Sequence, residues 1–352
     1  MKVSVIIPVY NTAPYIERCL QSVLDQTYDN LEVLIVDDCG TDNSMQLVHT
    51  LLAGRTTAAD SPNTSDSPGT TSSSNTPDSP GTTNSARTFT VLQHQENRGL
   101  SEARNTGLQA ATGDYVFFLD SDDQLPPKAI ENLINTATLY SQPHMVCGAV
   151  DVIPKSDPTQ AIHEKVQAYT EGNKKVSRIL LTRQIPIMAC NKLLHRGFLI
   201  SHKLQFVKDL IHEDNMWTFH IAPHIQNLAV TRQITYLYHI NKTGLTQERI
   251  TTQRIDSIKT IITRQMRELA NTRPLRSFQE AYIFFTAGWF LELLYSQKHH
   301  AYYQMRQWTR TTLRPLAREL RYHPLKNRLL YRALYMPPII LQKAKRLRQK
   351  KL

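Results

Sequence analysis

Three acidic residues stand close together after an apolar run. Residues 115–123 read YVFFLDSDD, so Asp120, Asp122 and Asp123 follow five mostly apolar residues that are typical of a short buried strand. Carboxylates at the end of such a strand repel one another unless a cation or a hydrogen-bonding ligand satisfies them. Acids with one residue between them can share a hard divalent cation, which prefers oxygen ligands and bridges phosphates. The cluster therefore indicates a divalent metal site or, alternatively, a solvated acidic turn or helix cap.

Other charged residues could take part in the same chemistry. Asp37 and Asp38 end a second apolar run, and Glu213 with Asp214 directly precedes a helical pattern. Two acids at a helix N-terminus are often only partners of the helix dipole. Arg104 falls in the first turns of a predicted helix, where its charge opposes the dipole, so nearby carboxylates or a ligand phosphate should compensate it. The alternative for this residue is an ordinary surface arginine.

The order of the apolar runs predicts the elements that position these side chains. Val3 to Val9, Leu31 to Val36 and Phe89 to Leu92 read as strands, with helical patterns between them. This alternation implies a doubly wound, mostly parallel α/β sheet, in which ligands sit at the carboxyl ends of the strands. Ser101 can cap the helix after the third strand. His239 lies in a later aromatic strand pattern, where it is either a ligand or a buried structural residue.

Composition divides the chain of 352 residues into unequal parts. Residues 1–250 carry a net charge of −5, whereas residues 251–352 hold 21 Lys and Arg against 5 Asp and Glu and read as helical. Residues 55–88 contain a 12-residue tandem repeat, NTSDSPGTT and NTPDSPGTT, whose composition cannot bury a core. We therefore predict a first domain over residues 1–250 with a disordered insertion at 55–88, followed by a basic helical region.

The basic region suggests partners for the protein. Residues 329–352 place apolar residues among Arg and Lys, which predicts either an amphipathic helix on an anionic membrane surface or a solvated tail. The apolar run at 281–295 is too short to span a bilayer. The chain has no aromatic and basic signature of nucleic-acid binding, so we predict no nucleic-acid partner.

The four cysteines are scattered and the first apolar run reads as a strand, so we expect a cytoplasmic protein.

Six stretches of the sequence form a combined pattern: VSVIIPVYN at 3–11, LDQTY at 24–28, IVDDCGTDNS at 35–44, ENRGLSEARNTGL at 96–108, GDYVFFLDSDD at 113–123 and HED at 212–214. Together they resemble the inverting family 2 glycosyltransferases of GT-A fold, of the bacterial cell-surface polysaccharide type. The resemblance covers most of residues 1–125 apart from the repeat, and thin patches up to about residue 245. The usual Gly-Ser after the first acid pair is Cys39-Gly40 here.

The resemblance implies roles for individual residues. Mg²⁺ or Mn²⁺ would be held against a diphosphate by Asp122 or its neighbour Asp123, in the DxD element of the family, with His239 approaching the metal. Asp214 would be the general base, with Glu213 beside it. The residues that would line the nucleotide sugar are Pro8, Val9, Tyr10, Asp37, Asp38, Arg104 and Asp120.

The reaction that the resemblance implies is the transfer of one sugar, hexosyl or N-acetylhexosaminyl, from a nucleoside diphosphate sugar. We expect a UDP-sugar as donor, inversion at C1, and a glycan or lipid-linked acceptor, as in polysaccharide or lipopolysaccharide assembly. Such an enzyme would work in the cytoplasm, peripherally on the inner face of the cytoplasmic membrane. One alternative is a non-catalytic nucleotide-sugar-binding scaffold, in which Asp122 or Asp214 is dispensable. Another is a sugar nucleotidyltransferase, which usually has a Gly-rich basic loop where this chain reads PVYNTAPY.

Overall fold

The computed structural model describes residues 1–59, 87–154, 162–241, 250–272 and 274–319. Both repeats of the predicted insertion and the predicted membrane-facing segment at 329–352 lie outside these residues. At the margins of the insertion, a helix continues to Ala59 and a strand begins at Thr88.

A single sheet organises the described part of the chain, where it has eight strands. The strands are β1 (Val3–Val9), β2 (Leu31–Asp37), β3 (Thr88–Gln93), β4 (Tyr115–Phe118), β5 (Met145–Ile153), β6 (Tyr169–Glu171), β7 (Lys192–His195) and β8 (Asn227–His239). Their order in the sheet is β3-β2-β1-β4-β7-β5-β8-β6, and β7 and β6 run against the other six. The predicted mostly parallel α/β sheet followed by helices is therefore confirmed.

Helices cover both faces of this sheet. In the described residues they are α1 (Ala13–Leu24), α2 (Ser44–Ala59), α3 (Gly99–Ala110), α4 (Ala129–Leu139), α5 (Asn173–Leu181), α6 (Arg196–Ser201), α7 (Asp214–Ile221), α8 (Thr252–Arg267), α9 (Leu275–Ser296), α10 (Tyr302–Thr312) and α11 (Arg314–Glu319). None of the helices that the structure describes combines the length with the apolar content needed to cross a membrane.

The sheet packs against a hydrophobic cluster on each of its two faces. Successive residues of a strand point to opposite faces, so β1 and β4 each contribute to both clusters. On β1, Ile6 belongs to the larger cluster and Ile7 to the smaller one. On β4, Phe118 and Phe117 divide in the same way. All seven residues of β1 are buried, which explains why its sequence is a continuous apolar run and not an alternation.

The helices after residue 250 are part of this interior. The larger cluster contains Ile258, Tyr282 and Tyr302, which come from α8, α9 and α10, together with Trp217 of α7. Residue 250, the predicted domain boundary, therefore marks a change from sheet to helices while the core continues across it.

Candidate functional site

The site forms where the loops after β1, β2 and β4 meet at one edge of the sheet. Pro8 and Val9 are buried at the end of β1, and the ring of Tyr10, directly after them, is 46% exposed. The Asn11 side-chain oxygen accepts a hydrogen bond of 2.7 Å from the Thr41 N–H, which ties the first two loops together. The exposed tyrosine therefore stands on a loop that is fixed to its neighbour.

Asp37 and Asp38 turn inward from the end of β2. Asp37 accepts a hydrogen bond of 3.0 Å from the Cys39 N–H. Asp38 is 2% exposed, and its two oxygens accept from the N–H groups of Arg98 and Gly99, each at 2.8 Å. The same carboxylate lies 2.6 Å from a ring nitrogen of His94. Asp38 therefore holds the start of α3, and only a rearrangement would free it for a nucleotide.

This contact corrects one prediction about α3. The helix begins at Gly99, before Ser101, and the Ser101 hydroxyl is buried without a hydrogen-bond partner. The capping prediction for Ser101 was wrong because Asp38, from a distant loop, supplies the acceptor that the first N–H groups need.

Two of the predicted metal residues are tied to each other. Asp123 is 1% exposed, and its oxygens accept from the His239 N–H and the Tyr236 hydroxyl, both at 2.7 Å. The His239 ring pairs through Nε2 with the Gln124 side chain at 2.8 Å. Both residues thus anchor the acidic loop after β4 to the end of β8.

Asp122 is more exposed than Asp123. It is half-buried, and its carboxylate accepts from the Asn241 side chain at 3.3 Å. The Arg18 guanidinium donates to the Asp122 main-chain carbonyl at 2.6 Å. Burial raises the pKa of Asp122, and the neighbouring charge of Asp120 raises it further. The acidic loop therefore carries negative charge that its surroundings compensate incompletely.

Arg104 connects this loop to the second group of acids. Its guanidinium donates to Asp120 at 2.7 Å and to Glu213, and it lies 3.6 Å from Asp214. The face of Phe206 lies 5.2 Å away. Burial alone would lower the pKa of Arg104, but Asp120 and Glu213 raise it well above its ordinary value. The charge of Arg104 is thus compensated by carboxylates, one of the two kinds of group that its position in the helix predicts.

Asp214 is the first residue of α7 and remains accessible. Its side chain is 23% exposed, and its carboxylate accepts a hydrogen bond of 3.2 Å from the Ala189 N–H. Burial, followed by the charge of Glu213, raises the pKa of Asp214 to about 7, although Arg104 opposes the shift. At neutral pH this carboxylate is therefore poised to accept or release a proton.

Sequence reasoning missed Lys192, at the start of β7. This lysine is 3% exposed, and its ammonium donates to the carbonyls of Met188 and Cys190. Burial lowers the pKa of Lys192, and its charge in turn lowers that of Asp214. A signal was present in the text MACNKLL, where a lysine opens an apolar strand pattern.

The acids of the loop after β4 fit a hard divalent cation. Within the described residues, no three His, Cys, Asp or Glu side chains form a set that could hold a metal ion by themselves. Asp120 and Asp122 nevertheless offer carboxylate oxygens, and the pKa of Asp122 is raised by burial and then by the charge of Asp120. Mg²⁺ is usually bound by one or two carboxylates together with substrate phosphates. The donor set therefore suits a cation that is completed by a diphosphate.

A sequence model of the glycosyl transferase family 2 matches residues 4–58 and 75–201 of this chain. The chain belongs to this family. The glycosyltransferase is 26% identical over 252 residues to the Escherichia coli protein YibD, itself described as an uncharacterized glycosyltransferase. That match covers 70% of this chain and 63% of YibD, so the chain spans less than two thirds of its relative's length.

Solved structures confirm the GT-A fold of the glycosyltransferase. Staphylococcus aureus TarS 1–349 in complex with UDP-GlcNAc superposes with a TM-score of 0.63 at 18% identity, over 95% of this chain and 90% of that one. The mannosyltransferase PcManGT from Pyrobaculum calidifontis, in complex with GDP-Man and Mn²⁺, gives a TM-score of 0.53 at 18% identity, over 95% and 85%. At this identity the likeness concerns the fold.

Proposed function

We propose that this glycosyltransferase transfers one sugar from a UDP-sugar to a glycan or lipid-linked acceptor, with inversion at C1 and Asp214 as general base. The observation that carries the proposal is the placement of Asp214, a partly exposed carboxylate at the start of α7 beside the Arg104 guanidinium. An accessible carboxylate whose pKa is about 7 is half ionised at neutral pH, where a general base works best. Arg104 and the Ala189 N–H hold the carboxylate in place.

The donor would bind across the edge formed by β1, β2 and β4. Tyr10 offers an exposed ring to the base, and the loop that follows Asp37 and Asp38 is joined to the Tyr10 loop by the hydrogen bond from the Thr41 N–H to Asn11. Asp122, with Asp120, would hold Mg²⁺ or Mn²⁺, which neutralises the charge that develops on the leaving diphosphate. Asp123 and His239 would support this loop from behind, since their polar groups already have partners.

In the reaction, Asp214 accepts the proton of the acceptor hydroxyl as the acceptor oxygen bonds to C1. The bond between C1 and the diphosphate oxygen breaks on the opposite side, and its electron pair leaves with the nucleoside diphosphate. A single displacement of this kind inverts C1 and needs no covalent enzyme intermediate. Glu213 stays paired with Arg104 and raises the basicity of Asp214 by its charge.

The structural neighbours support a nucleotide-sugar donor but differ in the base, since TarS binds UDP-GlcNAc and PcManGT binds GDP-Man. The lipid-linked acceptor and the peripheral membrane location rest on the net charge of residues 251–352. Removal of residues 329–352 should weaken sedimentation with anionic vesicles, and unchanged sedimentation would contradict this part of the proposal.

Calorimetric titration tests the donor site. We expect UDP and one of a small panel of nucleotide sugars to bind more tightly with Mn²⁺, and Asp122→Ala to remove the metal dependence. Asp256→Ala, at an exposed acid on α8, is the control and should bind as the wild type does. If no nucleotide sugar binds with or without Mn²⁺, the donor assignment is wrong.

Turnover of the donor identified in this way tests the base. Asp214→Asn should bind the donor normally and lower kcat by about 10²- to 10⁴-fold, because the acceptor proton loses its carboxylate. Wild-type turnover in Asp214→Asn would exclude Asp214 as the base. Donor binding without turnover in the wild type would favour the scaffold alternative.

A further inference from the structure

The turn that presents the two acids of α7 is held in an unusual backbone conformation. His212, two residues before Asp214, has a φ of +70°, in the left-handed region that side chains other than glycine rarely adopt. Such a residue is strained and persists only where its surroundings fix it. Its carbonyl accepts from the main-chain N–H of Asn215 at 3.0 Å and from the Asn215 side chain at 3.2 Å. His212 therefore sets the direction in which Glu213 and Asp214 leave the turn.

The His212 ring is fixed by the helices that follow residue 250. The Arg254 Nε–H, from α8, donates to His212 Nε2 at 2.9 Å. Trp289, from α9, meets the same ring edge to face, with 5.0 Å between the centroids. Arginine has no acceptor, so His212 Nε2 carries no proton and the ring is neutral. Burial, with the charge of Arg254, lowers the pKa of His212 to about 3, which keeps the ring neutral at every physiological pH.

Asn215, which directly follows the Glu213–Asp214 pair, is also bound by helices α8 and α9. The Asn215 main-chain carbonyl accepts from the Gln265 side chain of α8 at 3.2 Å. Its side-chain oxygen accepts from the Tyr282 hydroxyl of α9 at 3.4 Å and from Arg183 at 3.3 Å. Helices α8 and α9 thus contact residues on both sides of the Glu213–Asp214 pair.

We propose that Arg254 and Trp289 are positioning residues that act through the His212 ring to aim the Asp214 carboxylate at the acceptor. The inference rests on the proposed function, because it takes Asp214 as the base. It assigns the C-terminal helices a direct part in turnover, beyond packing and beyond any membrane contact. Arg254 and Trp289 contact His212, whereas Asp214 would contact the reacting atoms.

A double-mutant cycle tests the contact. Arg254→Met removes the donor, and His212→Gly removes the ring while a glycine keeps φ at +70° without strain. We expect each variant to lower kcat by about 10- to 100-fold, since small displacements of a catalytic group have effects of this size. The donor KM should stay unchanged, and the double variant should be no worse than either single one. Arg264→Met, at an exposed arginine on the same helix, is the matched control and should keep wild-type kcat.

The pH dependence of kcat separates positioning from a general loss of structure. If the contact aims Asp214, its loss changes the surroundings of the carboxylate, and the acidic limb of kcat shifts in both variants. Loss of folded protein alone would scale kcat by the folded fraction and leave the limb in place. Wild-type kcat and an unshifted limb in His212→Gly would overturn the inference.

Asp214→Asn in the same assays separates this inference from the proposed function. An inactive Asp214→Asn beside fully active His212→Gly and Arg254→Met would overturn the positioning role alone. An active Asp214→Asn would overturn both, because the turn would then have no base to position.

Discussion

The two groups of carboxylates on either side of Arg104 contain the same kinds of residue but are held in different ways. In the donor-side group, Asp122 and Asp123 accept hydrogen bonds from the neutral donors Asn241, Tyr236 and the His239 N–H, whereas Asp120 pairs with Arg104. In the base-side pair, Glu213 and Asp214, the Arg104 guanidinium is the main partner. The partners, and not the acids themselves, therefore distinguish the two groups.

The difference has a chemical consequence. A neutral hydrogen-bond donor does not cancel the charge of an ionised carboxylate as a guanidinium does, so Asp122 remains available to a cation. A single guanidinium beside two acids satisfies Glu213 and leaves Asp214 with a pKa of about 7. One group is thus suited to a metal ion and the other to a proton.

The largest effect should follow from removing the residue that the two groups share. Arg104→Met leaves Glu213 and Asp120 without their buried partner, so we expect a loss of about 3–5 kcal/mol in the free energy of unfolding at pH 8. Urea denaturation measures this loss.

Arg98→Met is the control for that experiment. Arg98 lies near the start of the same helix and pairs with Glu102 at 2.7 Å, but its side chain is 47% exposed. An exposed pair four residues apart contributes about 0.3–0.5 kcal/mol. Similar losses in the two variants would show that Arg104 does not hold the two groups together.

The pH dependence of kcat should sharpen the description of the base-side pair. The wild type should lose activity below an apparent pKa of about 7, about tenfold per pH unit, as Asp214 becomes protonated. Glu213→Gln removes the neighbouring negative charge that raises this pKa, so the acidic limb should move to lower pH by about one unit or more. A limb that stays in place would mean that a different group titrates there.

The raised pKa of Asp214 also predicts how the stability of the folded protein changes with pH. Because the pKa of Asp214 is raised on folding, the folded protein binds this proton more tightly than the unfolded chain does. The contribution of Asp214 to stability should therefore fall as the pH rises from about 4 to about 7, and Asp214→Asn should abolish this fall.

The smallest expected effect concerns the difference between Asp122 and Asp123, two neighbours in the donor-side group. Asp123→Asn weakens the hydrogen bonds to Tyr236 and the His239 N–H and should cost about 1 kcal/mol of stability, with the metal dependence of UDP binding retained. Asp122→Asn should do the reverse. Titration calorimetry and urea denaturation on both variants decide this, and a metal dependence lost only in Asp123→Asn would reverse the two roles.

Strands β1, β2 and β4 could be predicted from the sequence because all of their residues are buried, which makes each a mostly apolar run. The predicted limits of β2, 31–36, omit one residue of Leu31–Asp37. Those of the partly exposed β3, 89–92, omit one residue at each end of Thr88–Gln93. The meeting of the acids at one edge also follows from the parallel order, since parallel strands end on the same side of a sheet. Local pattern and chain order were sufficient here.

The partners of the acids could not be predicted in this way. Asp38 binds N–H groups 60 and 61 residues away, and Asp123 binds Tyr236 and His239 at separations of 113 and 116 residues. The reversal of β7 between β4 and β5 is equally invisible, although it brings Lys192 to the site. Such contacts depend on the packing of distant segments, which periodicity does not encode.

The continuity of the core across residue 250 limits how the chain can diversify. The larger cluster mixes α8, α9 and α10 with the face of the sheet that carries α7, whereas the smaller cluster draws its buried members from residues 3–236. Recombination with a relative at residue 250 would join halves whose side chains have not been selected to fit each other. We therefore expect the helices after residue 250 to be inherited together with the segment of Asp214, as one evolutionary unit.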